Sequence, residues 1–240
     1  MRSRFVIHAG FAKCGSASIR TALFQNFRTL QQDSVFVFDK DLRLARTAAD
    51  LIGTPIWSLE QARKQSENLT RRIAGEIAPL LKRKRDHLVI LSAENLVNPG
   101  MADLFAGLDT QYDVSVIFYL RPQLQWIPSA WKQWGLKTGA SLSDFVAQYI
   151  DTRIPAFRRD IESWKSTLPT ANIHVRFLIP ELLAGEILPK IFSTCSAFQR
   201  KSKGLKAKPE IPVSTSRCCT CYRKIRTFSQ TFTTTGSCWH

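Results

Sequence analysis

A chain of 240 residues with 44% hydrophobic and 10% aromatic content can bury a full core, which excludes the disordered and fibrous classes. No apolar run approaches the roughly 20 residues that span a bilayer, so no membrane span is expected. The formal net charge of +15 is unevenly spread. Residues 193–240 hold nine Lys/Arg against the single acid Glu210, so this short stretch carries more than half of it. Five of the six cysteines lie there too, and only Cys14 belongs to the body. One body cysteine is not a disulfide framework and points to a reducing, cytoplasmic setting.

The N-terminal "MRSRFVIHAGF" places basic residues before an apolar run, but His8 and Gly10 cut the run too short for a signal peptide. "RFVIHA" reads as a strand, "GFAKCGS" as a turn, and "ASIRTALFQNF" as a helix with Ile19, Leu23 and Phe27 along one side. "SVFVF" is a second strand. A long helix is expected from Ser58 to the basic run at 82–86, with Ser58 and Gln61 spaced as a capping box. The basic run fits the solvated end of that helix.

"HLVILS" (87–92) and "VSVIFYL" (114–120) are almost continuously apolar, as strands of a parallel sheet covered on both faces are. A helix-like segment, "GMADLFAGL", lies between them. A helix over 121–139 is expected next, bounded by Pro122 and Gly139. "SLSDFVAQYI" and "PAFRRDIESWKSTL" read as helices and "NIHVRFL" as a strand. Strands alternating with helices predict an α/β fold of three layers, helices on both sides of a mostly parallel sheet. We find no internal repeat.

The first turn carries the chemistry. A glycine-rich turn from strand into helix offers backbone N–H groups to an anion, and the helix dipole adds to the attraction. Gly10 and Gly15 allow close approach, Lys13 adds a mobile charge, and Ser16 and Ser18 supply hydroxyls. The nucleoside-triphosphate loop G-x-x-x-x-G-K-[ST] puts lysine directly after its second glycine, whereas Lys13 precedes Gly15 here. A second segment, "VIFYLRPQLQWIPSAWKQW", places Arg121 at a strand end and Ser129 eight residues later in a helix. An arginine fork matches phosphate oxygens, and a serine about two turns on faces the same side.

The spacing G-x-x-K-x-G-S-x-S after a strand resembles the 5′-phosphosulfate loop of the sulfotransferase family, and the Arg121–Ser129 segment resembles that family's 3′-phosphate segment. The resemblance runs over roughly residues 4–180 and is similar to a bacterial-type soluble member. It implies a P-loop NTPase-like fold and transfer of a sulfuryl group from 3′-phosphoadenylyl sulfate to a hydroxyl or amine, with adenosine 3′,5′-bisphosphate as product and no metal. By analogy alone, a carbohydrate is the acceptor class. It further implies a donor site of Gly10, Lys13, Cys14, Gly15, Ser16, Ala17, Ser18, Arg121 and Ser129. Lys13 would stabilise charge on the leaving oxygen. Ala17 stands where the family often has Ser or Thr, so one side-chain contact is missing.

Transfer also needs a base. Glu94, just past the "LVILS" strand, is the first candidate and His8, beside the loop, the second. Trp126, Trp131 and Trp134 are expected mostly in the core, with one of them, or Trp57, a candidate for bordering the acceptor cleft.

The division expected is an α/β domain over 1–192 and a basic Ser/Thr/Cys-rich tail over 193–240, irregular or read in an altered frame. "SRCCTCYRK" lacks the paired ligands of a zinc site. Ser214, Ser216 and Arg217 are weak candidates for a loop returning over the nucleotide. Two other readings stand beside the sulfotransferase: a P-loop small-molecule kinase, and a non-catalytic nucleic-acid binder using the basic tail.

Overall fold

The computed structural model describes residues 3–82 and 87–178. The expectations for the tail, for Ser214, Ser216 and Arg217, and for most of the basic run lie outside the described residues.

Five strands form one all-parallel sheet: β1 (Arg4–Gly10), β2 (Val35–Val37), β3 (Leu88–Glu94), β4 (Asp113–Leu120) and β5 (Asn172–Phe177), in the spatial order β2-β3-β1-β4-β5. This is the α/β class expected from the alternating pattern. Strands β1, β3 and β4 are buried almost throughout, which is why they read as continuous apolar runs. The chain leaves β1 toward the β2 edge and leaves β4 toward the β5 edge. The carboxyl ends of β1 and β4 therefore flank the crevice where open α/β sheets take their ligands.

Among the described residues, eight α-helices connect the strands: α1 (Ser16–Gln25), α2 (Phe27–Gln32), α3 (Ile56–Lys64), α4 (Thr70–Leu81), α5 (Leu108–Gln111), α6 (Gln123–Ala130), α7 (Leu142–Asp151) and α8 (Phe157–Thr167). On one side Phe11 meets Phe118 and Phe157, and Trp164 meets Phe105 and Phe118. The Trp164 indole also donates to the Leu96 carbonyl.

Three helical expectations need correction. The segment from Ser58 is two helices, broken where Ser66 takes a positive φ of 50°. Glu67 N–H closes back on Ala62 O, and the Asn68 carboxamide accepts from Thr70 N–H to start the next helix. The capping box at Ser58 does not form. The first of these helices begins at Ile56, and the Ser58 hydroxyl donates to Lys40 O instead. The helix expected over 17–27 ends at Gln25, since Asn26 interrupts it and its side chain donates to Ala22 O. The expected helix over 121–139 holds as a path, but it passes from α6 through a π turn at Trp131–Gly135 into a 3₁₀ turn, and Gly139 ends it at φ 72°.

Candidate active site

Register sets the floor of the site. Pairing places Ser92, His8, Ile117 and His174 in one row across the sheet. Two residues nearer the carboxyl edge, Gly10 pairs with Glu94, and Tyr119 with Arg176. Side chains alternate faces along a strand, so both rows project to the same side. Gly10 leaves a gap in the upper row, and the Ser16 side chain fills it. A Cβ at Gly10 would collide with Ser16 Oγ and lie 3.0 Å from Ala93 O. The first glycine of the loop thus exists to let the helix start come down onto the strand end.

The loop above is curled by two left-handed residues, Lys13 at φ 63° and Gly15 at φ 89°. Cys14 N–H bonds Phe11 O at 3.2 Å, which closes the turn, and α1 starts directly after Gly15. The first N–H groups of a helix lack intrahelical partners, so those of Ser16, Ala17 and Ser18 are offered at the crevice. Cys14 contributes differently. Its side chain is buried, and burial pushes the thiol up to about 11, opposed by the Arg121 backbone N–H and charge. The thiol is a core group; its N–H serves the turn.

The same interactions join the two sequence motifs. Cys14 senses both Arg121 and Glu94, so the loop, the end of β4 and the end of β3 converge. Trp126 Nε1 donates to Ala12 O at 2.8 Å, and Lys13 Nζ donates to Gln133 Oε1 at 2.7 Å. Trp126 and Ser129 fall at i and i+3 of α6, and the π turn that follows brings Gln133 to the same loop, so that Trp126 and Gln133 grip residues 12 and 13.

Two buried polar atoms at this point, Ser16 Oγ and Arg121 Nε, have no hydrogen-bond partner among the described residues. Buried polar groups are ordinarily satisfied, and exceptions cluster at functional positions. A hydroxyl and a guanidinium N–H at a helix start, beside a lysine, suit oxyanions.

Glu94 lies half-buried at the end of β3. Asn95, at φ 73°, turns the chain there, and its N–H bonds Gly10 O. His8 lies one row deeper and is 0% exposed. Its Nδ1 pairs with Ser92 Oγ at 2.8 Å and its ring meets Tyr119 edge-on. Its Nε2 has no partner among the described residues, and burial lowers its pKa to about 4. That enclosure sets it apart from Glu94 as a proton acceptor for an incoming molecule.

Sequence reasoning missed Gln133 and the His8–Ser92 pair. The sequence carried no signal for the first, which the π turn brings to the loop, and strand register alone reveals the second. Trp126 is buried, Trp131 donates to Ala140 O, and Trp57 is 72% exposed on α3. Among the described residues, no cluster of three or more His, Cys, Asp or Glu could hold a metal, and no helix is long and apolar enough to cross a membrane.

No family model and no curated protein matches the sequence. Solved structures similar in fold include the following two. One is a sulfotransferase from Alicyclobacillus acidocaldarius, with TM-score 0.48 and 13% identity over 96% of this chain and 92% of that one. The other is a retinol dehydratase in complex with androsterone and the inactive cofactor PAP, with TM-score 0.35 and 15% identity. This chain spans 64% of the dehydratase, and 84% of this chain is covered. At that similarity neither carries an argument about the site, which stands on its own residues.

Proposed function

We propose that this chain is a sulfotransferase that moves a sulfuryl group from 3′-phosphoadenylyl sulfate to a hydroxyl or amine acceptor. The observation that carries the reading is the convergence of the Lys13 loop and the Arg121 segment at one sheet edge, with Ser16 Oγ and Arg121 Nε buried and unpartnered among the described residues. Those groups fit a ligand with anionic groups at two ends. Bound donor would supply the sulfuryl group already activated, as a mixed anhydride with the 5′-phosphate.

In this reading the N–H groups of residues 16–18 and the Ser16 hydroxyl hold the 5′ end. Arg121 and Ser129 hold the 3′-phosphate, the arginine through its fork. Lys13 stabilises negative charge on the oxygen that leaves sulfur. Glu94 accepts the proton from the acceptor as the new O–S or N–S bond forms. The lysine sits two residues before Gly15 because there is no γ-phosphate to cradle; this separates the reading from a P-loop kinase. Carbohydrate as acceptor remains part of the proposal by analogy with the family.

The test is a calorimetric titration of the full chain. Adenosine 3′,5′-bisphosphate is expected to bind at least about tenfold more tightly than ATP, a difference of about 1.4 kcal/mol. Tighter ATP binding selects the kinase reading. Binding of RNA with a steep salt dependence, and of neither nucleotide, selects the nucleic-acid reading.

A further inference from the structure

Lys13 is held by a neutral partner. Its ammonium donates to Gln133 Oε1 at 2.7 Å across 120 residues of sequence. Gln133 belongs to the π turn Trp131–Gly135. A single π turn inside a helix is rare and is often found at functional sites.

The turn is anchored on both sides. Trp131 Nε1 donates to Ala140 O at 2.9 Å, and Leu136 N–H closes on Trp131 O. A Cβ at Gly135 would collide with the Trp131 ring and come within 3.0 Å of Phe145. Gln133 is exposed, so its contact with Lys13 is not forced by core packing.

We propose that Gln133 is a positioning residue for Lys13. A glutamine oxygen takes one of the three ammonium hydrogens and leaves two donors and the whole charge available. A carboxylate in its place would compensate that charge and repel an incoming oxyanion. An apolar residue would leave the long lysine side chain to be ordered by the ligand. The neutral amide thus holds the ammonium at the loop without spending its charge. The ligand part of this inference rests on the sulfotransferase reading; the tether itself does not.

The test uses the full chain with Gln133→Ala and Gln133→Glu, each checked for native circular dichroism. Lysine acylation is followed site by site by mass spectrometry without ligand, with exposed Lys137 as internal reference. Losing one hydrogen bond is expected to raise Lys13 labelling about fivefold in Gln133→Ala, while Gln133→Glu lowers it. In calorimetry, Gln133→Glu is expected to bind adenosine 3′,5′-bisphosphate about tenfold more weakly at low salt, the gap closing as salt rises. Equal Lys13 labelling in wild type and Gln133→Ala overturns the tether; bisphosphate that binds wild type and Gln133→Glu equally overturns the role of the neutral amide toward the ligand. If labelling responds as expected but wild type binds no bisphosphate, the tether stands and the sulfotransferase reading falls.

Discussion

The indole N–H of Trp126 donates to the carbonyl of Ala12, 114 residues earlier in the chain, at 2.8 Å. This bond fastens the Lys13 turn to the helix that follows Arg121, and Trp126 is only 2% exposed. Trp126→Phe keeps much of the packing but leaves the Ala12 carbonyl without its donor. A loss of about 1–3 kcal/mol is expected in urea unfolding, together with weaker bisphosphate binding. Weaker stability with full ligand affinity would show that the bond serves the fold and not the loop.

Ser16 and Gly10 should respond in opposite ways. Ser16 Oγ is buried without a partner among the described residues, so Ser16→Ala removes an unsatisfied group and is expected to leave stability unchanged or raise it by up to about 1 kcal/mol. In the proposed function it should also cost bisphosphate affinity. Gly10→Ala introduces a Cβ into Ser16 Oγ and close to Ala93 O, and a loss of about 1–3 kcal/mol is expected. The double variant should recover part of that loss, because Ala93 O remains. Paired thermal melts and titrations on the three variants check this.

His8 makes stability depend on pH. Its folded pKa lies near 4, against an ordinary 6.5, because burial disfavours the charged ring. Between those values the unfolded chain binds more protons than the folded one. The contribution is therefore full above about pH 6.5 and is lost as pH falls toward 4, amounting to about 3 kcal/mol at most. His8→Gln should flatten the urea midpoint across this window. Asp50, lowered mainly by the backbone N–H of Thr47, acts only at more acid pH. By NMR, the His8 ring should show no titration above pH 5.

Strands β1, β3 and β4 were legible because fully covered parallel strands are short apolar runs; β5, largely exposed, was legible only as a short stretch of strand-forming residues. The loop and Arg121 were legible as residue types at fixed spacings. The break at 65–69 was missed because it depends on Ser66 at positive φ and a two-residue Asn68 cap, weaker signals than the surrounding periodicity. Trp126 could be read as apolar, but its bond to Ala12 depends on tertiary structure. The His8–Ser92 pair needed the register of two strands 84 residues apart. Gln133 carried no chemical signal of its own; it matters because of where the helical path puts it.

Glu94→Gln separates proton transfer from binding. In the proposed mechanism it should keep bisphosphate affinity within about twofold and lose about 10²–10⁴ in kcat, the range of a general base. A wild-type rate in Glu94→Gln, followed with a labelled donor and a panel of hydroxyl and amine acceptors, would remove Glu94 from the mechanism.

The central claim is that the Lys13 loop and Arg121 hold opposite ends of one nucleotide, and dissecting the ligand tests it most directly. Adenosine 3′,5′-bisphosphate and adenosine 5′-monophosphate should be titrated against wild type, Lys13→Ala and Arg121→Ala. The account predicts that wild type prefers the bisphosphate, that Arg121→Ala erases the preference, and that Lys13→Ala weakens both ligands alike. A wild type that does not distinguish the two nucleotides, or an Arg121→Ala variant that still does, would contradict it.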